Sequence, residues 1–366
     1  MASTIAAPRL LRRGLEIFAV ISLVGFGALL LYGNNLERFV QAMVSLKWHW
    51  FALGVVLASL DWFGGGLRLY LLARHVYPQQ SLKGAILAGG LNTWASYITP
   101  SQTGGGPMMI YTLKRYGTPI PESMIAGLMS FVATVIFFAI AGPLAILLGA
   151  GRSLREHGVL GEALNLYDLF RLSLGGFVGI GLVMLFFFLF PQLARRVARW
   201  GVGRVTRRRG ASPKLTARLA ALEEGIDRAH DAMVAFAHPR GLVALFGAVV
   251  LSAAAHANKL LAGYLVLRML GIEAQLVDVL LLQTLITFLL YFAPTPGGSG
   301  LAEVISAAVM SIYVPRELTP SYILLWRIVV AYLTVGFGSI VFWRWLKRAE
   351  GGGAAESSEI HVEAST

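Results

Sequence analysis

Two prolines and three glycines fall within seven residues at Pro294-Thr295-Pro296-Gly297-Gly298-Ser299-Gly300, inside an apolar stretch that otherwise reads as one helix from Leu276 to Tyr313. A helix cannot continue through such a run, because proline has no N–H to donate and glycine loses the most backbone entropy on ordering. In lipid, backbone groups freed by a break must be met by protein or by water in a cavity. The break therefore marks an interior position, with Glu303 one turn beyond it. A second break, Thr99-Pro100-Ser101-Gln102-Thr103-Gly104-Gly105-Gly106-Pro107, lies in the other half of the chain.

The surroundings of both breaks are those of a membrane protein. Of 366 residues 56% are hydrophobic and only 14% are charged, and several apolar runs reach the roughly 20 residues needed to span a bilayer. The absence of cysteine excludes thiol chemistry and Cys-ligated metals and leaves the compartment open. A net charge of +12 is read as orientation and contact with anionic lipid, not as nucleic-acid binding.

Six spans are predicted: Leu15–Tyr32, behind Arg9, Arg12 and Arg13, then Trp50–Leu72, Met124–Leu148, Phe170–Phe190, Leu242–Leu267 and Tyr322–Trp345. The first resembles a signal peptide at its start but is long and has no A-x-A site after it, so it stays a span. Two shorter apolar segments enclose the breaks, residues 82–115 and 276–313. The arm from Leu82 to Ile98 makes about 25 Å of helix, a little short of the hydrocarbon core. These segments are read as re-entrant hairpins. Gly33–Lys47 and the polar stretch Gly151–Asp168 become outer connections.

The segment Gln192–Arg240 carries eleven Lys or Arg. Within it Ser212-Pro213 reads as an N-cap and N1 pair opening an amphipathic helix with Leu215, Leu219, Leu222, Ile226 and Met233 on one face. It lies on the inner leaflet, or is a solvated linker that only fixes orientation. Lys and Arg concentrate on the side assigned to the cytoplasm, which places both termini there in the cytoplasmic membrane. The resulting division is residues 1–48, first span and outer connection; 49–150, first repeat; 151–240, fourth span and basic loop; 241–348, second repeat; and 349–366, a tail rich in Gly, Ala, Ser and Glu, expected to be disordered.

Superposing the halves at an offset of 194 places Tyr70-x-x-x-Arg74 on Tyr264-x-x-x-Arg268, Thr93 on Thr287, and Tyr97-x-x-Pro100-Ser101 on Tyr291-x-x-Pro294-Thr295. After one gap, Gly104-Gly105 meets Gly297-Gly298. The charge argument makes the halves opposite in direction, an inverted repeat in which one hairpin dips from each face. Paired Gly/Pro interruptions of this kind point to a midplane site in secondary transporters. The bland alternative is that each break is only a tight turn.

Each break starts a new half-helix, one near Pro107 and one near Gly300, whose N–H groups and positive dipole end suit an anion. Glycine lets a phosphate approach bare backbone, and in so apolar a chain the anion indicated is a lipid phosphate. The candidate binding residues are Pro100, Gly104, Gly105, Gly106, Pro294, Pro296, Gly297, Gly298, Gly300 and Glu303, with Asp61, Arg68, His256, Lys259 and Arg327 from the spans. Asp61 and Arg68, two turns apart on one face, pair with each other or across to Lys259. Glu303 caps its half-helix or serves gating and proton coupling. Arg327 snorkels to the outer interface or faces the cleft. His256 is read as a packed polar residue; no catalytic triad, P-loop, metal site or cofactor is indicated.

Pro100-Ser-Gln-Thr-Gly-Gly-Gly-Pro107 with Tyr111-x-x-Lys114-Arg115-x-Gly117, together with Pro294-Thr-Pro-Gly-Gly-Ser-Gly300-x-x-Glu303, resembles the flippase-like membrane domain of lysylphosphatidylglycerol synthases. The resemblance covers nearly all of Arg9 to Arg348 and implies movement of lipids or lipid-linked precursors across the cytoplasmic membrane. The chain stops a short tail after the sixth span, so lysyl-lipid synthesis is not expected of it, nor is it expected to be an enzyme. Pro107-Met108-Met109 stands where many relatives carry Arg or Glu, which shifts weight to Glu303. Membrane lipids with anionic headgroups are the expected partners, with a homo-oligomer an open possibility. The sequence leaves three functions standing: a flippase or scramblase, an ion-coupled transporter of a small anion, and a non-transporting accessory subunit of a lipid-modifying enzyme.

Overall fold

The computed structural model describes residues 6–33, 36–147, 166–209, 213–291 and 293–347. Among these every regular element is helical. In chain order they are α1 (Ala6–Gly33), α2 (Leu36–Val44), α3 (Trp48–Val76), α4 (Leu82–Tyr97), α5 (Gly105–Arg115), α6 (Ile120–Leu147), α7 (Leu166–Leu189), α8 (Pro191–Arg209), α9 (Pro213–Phe236), α10 (Pro239–Met269), α11 (Leu276–Tyr291) and α12 (Leu301–Met310). The last is α13 (Arg316–Lys347).

Four of these helices are long and apolar enough to cross a membrane: α3, α6 over Ile120–Ala141, α10 and α13. α1 and α7 are helical over the other two stretches expected to span. Gly33–Lys47, expected as a plain connection, contains the helix α2, which packs on the start of α13. The expected loop at Gly151–Asp168 falls outside the described residues up to 165, and the expected disordered tail lies outside them altogether.

The centre of the molecule is the pair α3 and α10, which run in contact along most of their length. Glycine permits this. A Cβ at Gly64 would lie 2.9 Å from the Ala255 backbone nitrogen, and one at Gly66 would lie 2.5 Å from the Cα of Ile86 on α4. Both faces of α3 thus meet neighbouring backbone, the close approach that small residues allow where lipid supplies no hydrophobic drive for association. Gly64 and Gly66 work as packing surfaces, while Gly65 faces open space.

α4 and α5 fold back on each other, as do α11 and α12, and the two connecting turns touch. Their arms have 16, 11, 16 and 10 residues, the longest reaching only about 24 Å. α4 is capped by Ser81, whose hydroxyl accepts from the Gly84 amide at 3.0 Å, the usual remedy for an orphan first-turn N–H.

Between the halves, Pro191 does not merely end α7; it opens α8, a helix the basic composition concealed. α9 begins at Pro213 as expected, with Leu215, Leu219 and Ile226 half-buried and Leu222 exposed. α8 and α9 pack together with ion pairs between Arg195 and Asp227 at 3.1 Å and Arg199 and Glu223 at 2.5 Å. α9 also leans on α6 and α10, and Phe236 meets the His75 ring with centroids 4.5 Å apart.

Gly64→Leu must push backbone against backbone, so it is expected to cost about 1–3 kcal/mol or more and to lower the melting temperature in detergent. Gly65→Ala, at a position where a Cβ meets nothing within 4 Å, should leave it unchanged or slightly raised. Thermal unfolding of the two variants side by side checks this.

Candidate functional site

The two breaks share a conformation over Thr99–Gln102 and Thr295–Gly298 and then part, Thr103 being helical and Ser299 extended. Thr99 and Thr295 are extended, with φ/ψ of −121°/145° and −92°/152°. Each is followed by proline and then by two residues at positive φ: Ser101 at 49° and Gln102 at 57° in the first break, Gly297 at 57° and Gly298 at 67° in the second. The turn hydrogen bonds match as well, Thr103 N to Pro100 O at 3.1 Å and Ser299 N to Pro296 O at 3.0 Å. Pro100 therefore corresponds to Pro296, not to Pro294, and Gly104 corresponds to Gly300. The offset of 194 holds for α4 and α11, which both end in Tyr, and becomes 196 at the turn. The extra two residues of the second half sit between Tyr291 and Thr295.

The half-helix ends are less bare than expected. The Thr99 hydroxyl accepts from the Gly104 amide at 2.8 Å, and the Glu303 carboxylate accepts from the Gly300 amide at 2.7 Å. Gly104 and Gly105 press on Thr99, Ser96 and Asn92, where a Cβ would collide. They are packing residues.

Glu303 and Arg327 form a buried pair. Arg327 Nε lies 3.0 Å from Glu303 Oε1, and each side chain is only 2% exposed. The remaining guanidinium nitrogens donate to the Gly297 carbonyl at 3.0 Å and the Ser299 hydroxyl at 2.9 Å. The ring of Phe18 from α1 lies against the same guanidinium, 5.5 Å away. Arg327 thus faces inward, and Glu303 is a capping and pairing group, a charge already answered. Immediately after Arg327 the helix widens into a π-turn, Ile328–Tyr332, a form enriched at functional sites.

Between the hairpins, α3, α6, α10 and α13 lies a cavity of about 490 Å³. Of the sequence-predicted residues it is lined by Asp61, Arg68, Gly106, His256, Lys259, Gly297, Gly298 and Arg327. Pro100, Gly104, Gly105, Pro294, Pro296, Gly300 and Glu303 are not among its lining residues, though they shape the two turns. Asp61 contacts Lys259 Nζ at 3.5 Å and receives the Asn258 amide at 3.3 Å, which decides the open pairing in favour of Lys259. Arg68 instead donates to Thr134 Oγ1 at 2.8 Å and Ser252 Oγ at 3.1 Å. Among the described residues no carboxylate lies within 4 Å of it. His256 packs as expected, with Nδ1 2.9 Å from the Ser252 carbonyl and Nε2 3.3 Å from the Tyr291 hydroxyl.

Sequence reasoning missed Tyr97, Tyr291 and Thr295 as lining residues. The two tyrosines were visible as repeat markers, and their place directly before each break was the available signal. Chemically, the chamber is a partly open, mainly apolar space into which a few charged side chains, net cationic, are set. It is sized for a ligand of a few hundred Å³, and no group of three His, Asp or Glu converges as a metal site among the described residues.

Together these features define a multi-pass helical membrane protein with a chamber carrying charged side chains between two broken hairpins. A profile of the lysylphosphatidylglycerol synthase TM region matches residues 16–338. The chain belongs to that family. Comparison with curated proteins gives no match.

Arg327→Met leaves the Glu303 carboxylate buried and alone, and is expected to destabilise by about 3–5 kcal/mol; adding Glu303→Gln should return part of that loss. Ser101→Gly relieves a non-glycine at positive φ and should stabilise by about 1 kcal/mol. Thermal melts of purified variants test both.

Proposed function

We propose that the protein moves phospholipids or lipid-linked precursors between leaflets, as a flippase or scramblase without bond-making chemistry of its own. The observation that carries this reading is the chamber itself, where Arg68, and Lys259 paired with Asp61, lie beside the two broken turns. A headgroup would pass through it while its tails stay in lipid. Family membership supports a lipid-related role.

The transport reading is built on a six-span topology in the cytoplasmic membrane, with both termini inside and two re-entrant hairpins in an inverted repeat. Its support is the shared turn conformation, the two 16-residue arms and the distribution of Lys and Arg. The natural chain has no cysteine, so single-cysteine labelling has no background. Lys114→Cys should react with a membrane-impermeant maleimide only from the cytoplasmic side, and Arg316→Cys only from the outside. Labelling of both from one side would overturn the inverted arrangement.

In liposomes, purified protein is expected to accelerate leaflet exchange of fluorescent phospholipids. Gly298→Leu, forced into φ of 67° against Leu290, and Thr93→Trp, filling the chamber, should each slow exchange about tenfold or more, a barrier increase of about 1.4 kcal/mol. Exchange at the empty-liposome rate for every lipid tried would refute the proposal. Gradient-driven uptake of a soluble anion would instead favour a coupled anion transporter.

A further inference from the structure

The charges around the chamber are unequal in availability. Asp61 is the one carboxylate lining it, and both of its oxygens are taken, Oδ1 by Lys259 at 3.5 Å and Oδ2 by Asn258 at 3.3 Å. Glu303 is committed to Arg327 and the Gly300 amide. Among the described lining residues no unpaired carboxylate is left to receive an ammonium group. Arg68, by contrast, touches only two hydroxyls, and its Nε has no hydrogen-bond partner. A buried guanidinium without a counter-ion is expensive unless an anion joins it, and its fork suits two phosphate oxygens at once.

The neutral polar groups point the same way. Tyr97 Oη and Thr295 Oγ1 sit in the chamber wall, both buried and both without a partner. One stands two residues before the residue that opens the first broken turn, and the other opens the second. Unmet hydroxyls are costly, and a ligand that can both donate and accept at short range would satisfy them.

We propose that the chamber takes a phosphate ester whose other substituent is neutral and hydroxylated, such as a glycerol or sugar, and discriminates against headgroups that carry an ammonium. Arg68 holds the phosphate. Tyr97 and Thr295 meet the hydroxyls. Lys259 occupies Asp61 and so withholds the carboxylate an amine would need. The inference deepens the transport reading by naming the headgroup class, and it rests on the same chamber.

The test is lipid binding by the full-length protein in detergent, read by native mass spectrometry with phosphatidylglycerol, phosphatidylethanolamine and lysylphosphatidylglycerol of matched tails. Phosphatidylglycerol is expected to be retained about tenfold more than either amine lipid, the ratio set by one unmet buried polar group. Arg68→Gln should abolish the preference, and Tyr97→Phe, which removes only a hydroxyl, should reduce it. Lys259→Gln frees Asp61 and should shift occupancy toward the amine lipids. Equal retention of all three lipids, or stronger retention of an amine lipid by the natural protein, overturns the proposal. Glycerol phosphate added as a competitor separates a lipid source from a soluble one: displacement at similar concentration assigns the same chemistry to a free ester. Leaflet exchange measured in parallel keeps the two ideas apart. Selective binding without exchange sinks transport alone, whereas exchange without selectivity sinks the headgroup inference alone.

Discussion

Interrupting a helix inside an apolar protein leaves amides and carbonyls that water cannot reach, and the rest of this structure follows from how those groups are met. The second break meets them with one arginine. Arg327 reaches from α13 to the Gly297 carbonyl, the Ser299 hydroxyl and the Glu303 carboxylate, while Glu303 returns to the Gly300 amide. Two charges are buried, and neither stands alone. The first break solves the same problem with neutral groups. Thr99 donates its hydroxyl to the Ala95 carbonyl at 2.7 Å and accepts from Gly104. The shared first part of the turn is held by two chemistries, the charged one where the turn contacts α1 and α13.

That difference separates scaffold from site. Residues that stabilise the turns are spent on the backbone, so the chamber's chemistry comes from the long helices. Arg68 on α3 and Lys259 on α10 stand on the pair brought together at Gly64. The close approach of α3 and α10 puts the Asp61–Lys259 contact across their interface. Positions on helices of this length are held more firmly than positions on loops, which suits a space that must present charge in a fixed place.

Much of this was legible in the chain. The breaks, their tyrosines and the long apolar helices followed from proline, glycine and run length, and the intramembrane charges announced an interior polar space. The register at the turn was not legible, because an alignment that counts identical letters matched Pro100 to Pro294, whereas the backbone is governed by which proline precedes two residues at positive φ. Glycine supplies that conformation in one half and Ser101-Gln102 in the other, so the equivalence is invisible in residue type. The helix α8 was hidden for another reason: its basic composition read as a loop, while its stability comes from carboxylates on α9 at a distance in sequence. Whether Asp61 meets Arg68 or Lys259 depends on helix rotation, which a single-helix face argument does not fix.

α13 grips both hairpins at their cores. Ahead of its π-turn it holds the second through Arg327; beyond it, Ser339 accepts from the Trp94 indole at 3.0 Å and Phe342 stacks on the same ring at 4.6 Å, fastening the first. The wide turn lies between the two grips. Both hairpins are thus moored to one rod, with a wide turn between the moorings.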